Sequence, residues 1–208
     1  MNRRSYLIPG ILLAGMALNA GAQQSAPAAA PAPTPAPLRP IVTLATHPDW
    51  PMPKNPSDVD TVDHIVASLY DVISGPSTKP RDWERFRSLF LPDARIGAVL
   101  PDTAATKDAP AHKGDAVFLS PDTYAQQDDP YFKTHSFFER GIANRVEEFG
   151  ALVHVWSSYE SRNAEHDQPF TRGVNSIQIV YARGRFWIAS IICDEERPGL
   201  TLPEKYLK

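Results

Sequence analysis

The sequence has almost no cysteine, no excess of basic residues and no long apolar segment. Cys193 is the one cysteine among 208 residues, which excludes an intrachain disulfide. The formal net charge is −3, whereas nucleic acids and anionic lipids are bound by clustered lysine and arginine, so neither partner is expected. The apolar run at residues 6–18 is shorter than the roughly 20 residues that cross a bilayer. We therefore expect no stable membrane insertion.

Several catalytic and metal-binding motifs are also missing. The chain contains no HExxH, paired CxxC, GxSxG or GxGxxG sequence, each of which indicates a defined metal, nucleophile or nucleotide chemistry. His112, His135 and His166 are isolated from one another and from other ligand types. We expect no metal ion and no cofactor, and we interpret Cys193 as a small buried apolar residue.

The first 56 residues are typical of a targeting segment followed by a linker. Arg3 and Arg4 precede the apolar run, and Ala20-Gly21-Ala22 fits a cleavage site, so residues 1–22 are predicted to be a signal peptide. The protein is then exported, to the periplasm or beyond the cell. Residues 23–56 form an Ala/Pro-rich linker and an irregular lead-in, and one folded domain is predicted at 57–208.

Within that domain the apolar period changes from helical to strand-like. Ser57 is predicted to cap a first helix that ends at Gly75-Pro76, and Pro80 to open a second. A short strand follows in LPDARIGAVL, then a loop, and then a short helix. The predicted later strands are residues 137–149, 151–162, 170–181 and 185–194. Helices followed by an antiparallel meander predict an α+β fold.

The order of these segments resembles the nuclear-transport-factor-two-like (NTF2-like) superfamily, which includes SnoaL-like and ketosteroid-isomerase-like proteins. The resemblance is carried by HIVASLYDVIS, DWERFRSLFLPDARI, VHVWSSYESR, TRGVNSIQIVYARGRFWIASI and the exit CDEE. It covers about residues 57–196 and implies a cone, in which helices pack on a strongly bent antiparallel sheet around an internal pocket. The same cone hosts isomerases, dehydratases, hydrolases and binding modules, so it does not define a function.

The ketosteroid-isomerase-like relatives imply a carboxylate base on the strand after the second helix. That position falls near Ala98 in this sequence, directly after Gly97, so the base is missing. Tyr70 occupies roughly the place of that family's tyrosine donor and is kept as a candidate pocket residue. Steroid-isomerase chemistry is therefore not predicted.

A two-residue turn at Arg183-Gly184 sets the predicted pairing of the last two strands, with Gln178 opposite Ala189. Strand alternation then defines two faces. The more apolar face is expected to meet the helices, and its polar members cluster at one end. These pocket candidates are Ser157, Tyr159, Asn175 and Asp194. Buried polar groups need partners, and the pattern leaves open a self-satisfied network or a ligand site.

The opposite face carries Trp156, Gln178 and Trp187. Large exposed apolar patches usually mark interfaces, so this face predicts a homodimer. The alternative is that the tail at residues 200–207 covers the patch.

Two functions follow from the sequence. The first is an exported module that binds a small, mainly apolar molecule or a protein partner. The second is a small cofactor-free enzyme, a SnoaL-like isomerase, dehydratase or hydrolase, with Asp194 as the base and Tyr159 or Tyr70 as the donor. A partly buried carboxylate suits such a base, because burial raises its pKa toward neutrality.

Overall fold

The computed structural model describes residues 50–104, 111 and 113–208. The helices in this part of the chain are α1 (Val62–Ile73), α2 (Trp83–Ser88) and α3 (Pro121–Thr134). The strands are β1 (Phe90–Leu100), β2 (Asp115–Leu119), β3 (Phe138–Phe149), β4 (Leu152–Arg162), β5 (Thr171–Ala182) and β6 (Arg185–Glu195). The predicted signal peptide, residues 23–49 of the predicted linker and most of the predicted loop that includes His112 lie outside the described residues.

Helix α1 begins later than the sequence predicts. Its N-cap is Thr61, whose Oγ1 accepts a hydrogen bond from the His64 backbone N–H at 3.0 Å. The predicted cap, Ser57, lies in a single 3-10 turn instead. In that turn the buried Asp58 carboxylate accepts two hydrogen bonds from Arg85, at 2.8 and 2.9 Å. The turn is therefore fixed to α2, and capping passes to the next hydroxyl along the chain.

The six strands form one sheet in the order β2-β1-β6-β5-β4-β3. Neighbouring strands are antiparallel except for β1 and β6, which are parallel. Helix α1 packs against β3 and β6, and α3 packs against β1 and β2. The helices thus lie inside a curled sheet, which is the α+β cone expected from the sequence. Strand β2 is the element that the sequence does not predict, since it has five residues, most of them exposed or half-buried.

The pairing of β5 with β6 shifts register after the turn. Ile179 lies opposite Ile188, but Gln178 lies opposite Ser190, so Ala189 is the extra residue of a β-bulge. The predicted pairing of Gln178 with Ala189 is therefore wrong by one residue. A slip of one residue moves every following side chain to the other face of the sheet.

This slip exchanges the residues that β6 presents to the helices. Ile191, Cys193 and Glu195 line the space under the helices, whereas Asp194 lies opposite Val174 on the outer face. The sequence predicts the reverse assignment, with Asp194 inside. The first half of β6, before the bulge, follows the predicted alternation, with Ile188 fully buried.

The outer face of the sheet is partly covered by the two ends of the described chain. Trp187 is 2% exposed, and its ring meets Trp50 edge-on with the centroids 4.8 Å apart. Trp156 is half-buried, with its ring centroid 5.7 Å from that of Tyr206 in the tail. Gln178 is also half-buried. The exposed patch predicted around Trp156 and Trp187 is therefore smaller than the sequence suggests.

The core between helices and sheet consists of aromatic and branched apolar side chains. Its largest fully buried members include Phe86, Phe90, Phe137, Ile65, Leu89 and Ile177. Among the residues described here, no helix has the length and apolarity needed to cross a membrane.

Candidate functional site

A cavity of about 70 Å³ lies between the helices and the inner face of the sheet. We call it the inner cavity. Its apolar lining is Leu69, Ile73, Phe86, Ile96, Gly97 and Ile191. Its polar lining is Tyr124, Glu139, Tyr159, Asn175, Cys193 and Glu195. All three helices and five of the six strands contribute to this lining, so the cavity occupies the interior of the cone.

Four of the polar groups near the cavity form a directed series of hydrogen bonds, the amide-hydroxyl chain. Asn175 Nδ2 donates to the Tyr70 hydroxyl at 3.2 Å, and Ser157 Oγ donates to Asn144 Oδ1 at 2.7 Å. Since the single proton of Ser157 points to Asn144, the Tyr70 hydroxyl must donate across its 2.6 Å contact with Ser157. Each hydroxyl therefore both donates and accepts.

The amide-hydroxyl chain joins α1 to three neighbouring strands. Tyr70 lies on α1, while Asn144, Ser157 and Asn175 lie on β3, β4 and β5. Burial raises the pKa of Tyr70 well above its usual value, so the hydroxyl stays protonated. Three of the predicted pocket residues, Tyr70, Ser157 and Asn175, thus belong to a network that satisfies itself and fixes strand register.

A second polar group, the carboxyl cluster, is less completely satisfied. Glu139 lies on β3 and accepts a hydrogen bond from Ser161 Oγ at 2.7 Å. Glu195 lies at the end of β6 and accepts from the Tyr159 hydroxyl at 3.3 Å. Burial raises the pKa of Glu139 to about 7 and also raises that of Glu195. Tyr159, a predicted pocket residue, therefore lines the cavity as a hydrogen-bond donor to a carboxyl group that the sequence does not single out.

Asp128 is the third member of the carboxyl cluster. It lies one turn after Tyr124 on α3, is 2% exposed, and hydrogen bonds with the Tyr124 hydroxyl. Its Oδ2 atom is buried and has no hydrogen-bond partner. Burial raises the pKa of Asp128 to about 8, so the carboxyl group is largely protonated at neutral pH. Tyr124, the hydrogen-bond partner of Asp128, itself lines the inner cavity.

Asp194 and Cys193 have environments that differ from the interior carboxyl groups. Asp194 Oδ1 accepts from the Glu195 backbone N–H at 2.9 Å and forms an ion pair with Arg197. Its side chain is 39% exposed, so the residue predicted as the pocket base lies outside the cavity. Cys193 does line the cavity, and burial raises the pKa of its thiol to about 12. That thiol is therefore a weak nucleophile.

The sequence offered little signal for Glu139, Glu195, Tyr124 and Asp128. Glu195 and Glu196 follow Asp194 directly, so the sequence shows that β6 ends in acidic residues. Which face of the sheet each carboxylate occupies depends on the bulge at Ala189. Within the described ranges, no group of three or more histidine, cysteine, aspartate or glutamate residues is placed to hold a metal ion.

Comparisons with known proteins show similarity at the level of structure. No protein-family model matches the chain, and no curated protein matches it. A protein of unknown function from Mycobacterium tuberculosis has a TM-score of 0.49 and 11% identity, with 70% of this chain and 80% of that chain covered. A protein of unknown function with a cystatin-like fold from Nostoc punctiforme has a TM-score of 0.47 and 10% identity, with coverage of 65% and 88%.

An NTF2-like protein of unknown function from Shewanella baltica also matches. Its TM-score is 0.37 and its identity 12%, with 65% of this chain and 94% of that chain covered. At these identities and TM-scores the matches carry no argument about function. The architecture described above, with three helices inside a curled sheet of six strands and a cavity between them, is the NTF2-like cone that the sequence resembles.

The site combines an apolar space with groups that hold or exchange protons near neutral pH. A carboxyl group with a pKa close to 7 can act as an acid or a base in this range. Protonated carboxyl groups and tyrosine hydroxyls also donate hydrogen bonds without adding charge. The inner cavity is therefore suited to an uncharged group that accepts a hydrogen bond.

Proposed function

We propose that the inner cavity binds a small, mainly apolar and uncharged molecule, or such a part of a molecule, that has one hydrogen-bonding group. The observation that carries this proposal is the position of Glu139 and Glu195 in a cavity whose lining is half apolar. Burial raises the pKa of both carboxyl groups, which favours their neutral, hydrogen-bond-donating forms. A carbonyl or hydroxyl oxygen entering the cavity would meet the donor of a protonated Glu139.

Cavity size restricts what the interior can accept. A volume of about 70 Å³ is equivalent to about two water molecules at roughly 30 Å³ each. Most drug-sized ligands occupy pockets of about 300 to 1,000 Å³. The interior therefore takes a group of only a few heavy atoms unless neighbouring space is used as well.

Binding is tested by titrating acetone, a ketone of four heavy atoms, into the isotopically labelled full-length protein and recording NMR chemical shifts. We expect shifts centred on Glu139, Ser161 and Tyr159. Ile191→Phe fills the cavity and should remove them, while Cys193→Met serves as a second filling variant if the first does not fold. Equal shifts in the wild-type and filled proteins, or none at millimolar ketone, would contradict the proposal.

A second candidate is a cofactor-free enzyme that transfers protons, and the pKa of about 7 at Glu139 favours it. Glu139 takes the place that the sequence analysis gave to Asp194. In the reaction, Glu139 takes a proton from the carbon next to a carbonyl, the carbonyl becomes an enol by accepting a proton from a tyrosine or Glu195, and reversal returns a solvent-derived proton to carbon.

This reaction has a direct assay. In D₂O, the protein should accelerate loss of the α-proton signals of acetone, and Glu139→Gln should abolish the acceleration while acetone still binds. Asp194→Asn is the matched control and should leave the exchange rate unchanged. Exchange that is no faster than in buffer would leave binding as the function.

We also propose that two copies pair through the outer face of the sheet. Phe118 and Ile192 are 50% and 37% exposed, and both lie in one cross-strand row with Gly97, Ser176 and half-buried Trp156. Exposed apolar side chains of this kind usually mark interfaces, which supports pairing with a second copy. Trp156→Lys should reduce the mass measured by light scattering from dimer to monomer without changing the circular dichroism spectrum, and a monomeric wild type would refute the proposal.

Export is proposed from Arg3, Arg4 and the apolar run that follows them. When the full-length gene is expressed in a bacterium with an outer membrane, the protein recovered outside the cytoplasm should begin at Gln23. Recovery of the uncleaved chain from the cytoplasm would contradict this.

A further inference from the structure

A second and larger space, which we call the outer cleft, lies at the edge of the sheet. It has a volume of about 600 Å³ and is bounded by the end of α1, the loop after it, the start of β3 and the end of β4. Its lining includes Tyr70, Lys79, Glu139, Arg140, Arg162 and Glu165. This volume is within the range of small-molecule sites, about 300 to 1,000 Å³.

The outer cleft and the inner cavity meet at one side chain. Glu139 is the residue of the described chain that lines both spaces. Beside it on β3, Gly141 has no side chain, and the Tyr70 ring lies within 3.2 Å of the position that a Cβ atom would take. The two spaces thus adjoin at Glu139, next to a glycine against which an aromatic ring packs.

The loop that forms one side of the outer cleft is held by Arg81. Its buried guanidinium group donates to the Ile73 carbonyl at 2.6 Å, to the Gly75 carbonyl at 2.7 Å and to the Lys79 carbonyl at 2.9 Å. The same group lies over the Phe132 ring at 4.9 Å. The cleft is therefore bordered by a loop with fixed backbone positions.

Cationic donors in the outer cleft lack full partners. Within the described residues, the Lys79 ammonium group forms no ion pair, and the buried Nε of Arg162 has no hydrogen-bond partner. Arg162 and Arg140 share one oxygen of Glu160, at 2.5 and 2.7 Å. Of the acidic groups at the cleft, Asp71 is paired with Arg85. Lys79, Arg140 and Arg162 thus line the cleft beside the acidic residues Asp71, Glu139 and Glu165. Among these cations, the Lys79 ammonium group and Arg162 Nε are the donors with unused capacity for a ligand.

We infer that the outer cleft and the inner cavity are two compartments of one site, and that its ligand is a carboxylic acid with a short apolar chain. The carboxylate lies in the outer cleft near Lys79 and Arg162. The chain passes the Glu139 side chain and ends in the inner cavity. This inference rests on the proposed binding function and explains how a cavity for a few heavy atoms serves a larger ligand.

The test compares two probes, octanoate and acetone, with the full-length protein by NMR titration and calorimetry. Octanoate needs both compartments, whereas acetone needs only the inner cavity. Lys79→Ala should weaken octanoate binding about fivefold, the effect of losing one exposed charge contact of about 1 kcal/mol, and should leave acetone unaffected. Ile191→Phe, or Cys193→Met in its place, should weaken both probes.

A matched control is Lys133→Ala, which removes a lysine on α3 that does not line the cleft. It should leave octanoate affinity unchanged. Octanoate binding that is insensitive to the filled cavity, or no octanoate binding when acetone binds, would overturn the two-compartment site and leave the proposed function intact. Failure of both probes would overturn the proposed function as well.

Discussion

The two polar groups inside the cone differ in how fully their hydrogen bonds are satisfied. In the amide-hydroxyl chain, each group donates a hydrogen bond to the next. The order is Asn175, Tyr70, Ser157 and Asn144, which joins α1 to three strands. In the carboxyl cluster, Asp128 has a buried oxygen without a partner, and Glu139 and Glu195 have raised pKa values. Asn144 is exposed, whereas Tyr70, Ser157 and Asn175 are buried. Of the two groups, only the carboxyl cluster includes a buried atom without a hydrogen-bond partner, Asp128 Oδ2.

The difference indicates which buried polar groups stabilise the fold and which can bind a proton or a ligand. A buried hydroxyl or amide with all its partners contributes to a unique register, and removing one partner leaves an uncompensated group. A buried carboxyl group with few partners holds a proton instead, and the position of its pKa makes the protein sensitive to pH. The following three substitutions test the comparison.

Asp128→Asn should have the largest effect, and that effect should depend on pH. The folded protein holds the Asp128 proton up to about pH 8, whereas the unfolded chain releases it near pH 4. Wild-type stability therefore falls between these values, and the asparagine variant lacks this loss. We expect the stability of the variant relative to the wild type to rise by about 4 kcal/mol between pH 5 and pH 9, as measured by urea unfolding.

The neighbouring Asp129→Asn is the control for this prediction. Asp129 is paired with Lys133 and bonded by Trp83, and both lower its pKa. Its carboxylate is ionised in the folded and unfolded states from pH 5 to 9. A pH-dependent gain for Asp129→Asn equal to that of Asp128→Asn would show that the buried orphan oxygen is not the cause.

Glu139→Gln should also become more stable than the wild type as the pH rises. The gain should be smaller than for Asp128→Asn and should occur at lower pH. Burial raises the pKa of Glu139 from its ordinary value to about 7, so wild-type stability falls from about pH 4.5 to pH 7 and the variant's does not. The expected difference between pH 5 and pH 8 is about 2 kcal/mol. Glu148→Gln, an exposed position on the same strand, should give a difference near zero by the same measurement.

Tyr70→Phe should give the smallest change and no pH dependence. The substitution keeps the ring but removes the hydroxyl that bonds Asn175 and Ser157, and the loss should be about 1.5 kcal/mol. Tyr181→Phe, at a 47% exposed tyrosine, is the control and should lie within about 0.5 kcal/mol of the wild type. A pH-dependent loss in Tyr70→Phe would mean that the two polar groups act as one.

Much of the fold can be predicted from the sequence, because its signals are local. The helical period before Gly75, the period of two after His135 and the Arg183-Gly184 turn correspond to α1, the four long strands and the final hairpin. Even the polar end of the inner face, at Ser157, Tyr159 and Asn175, follows from alternation. Next to the predicted two-residue turn, Val180 pairs with Trp187, as that turn requires.

The carboxyl cluster could not be predicted because it depends on events that leave no local pattern. The bulge at Ala189 exchanges Asp194 for Glu195 on the inner face, although nothing in ASIICDEE marks a bulged position. A second irregularity, between Gly141 and Ala143, separates Glu139 from the later residues of β3. Asp128 lies in a polar helical segment that reads as solvent-facing, and only the packing of α3 buries it.

The hydrogen bonds of Arg81 hold the loop beside the outer cleft in place before a ligand binds. A loop whose carbonyls are already held by a buried guanidinium group loses little conformational freedom when a ligand arrives, so the entropic cost of binding falls mainly on the ligand. Association in the outer cleft should then be a single fast step rather than a slow closure. Arg81→Met would keep much of the packing but free the loop, and it should slow or weaken association without altering any group that touches the ligand.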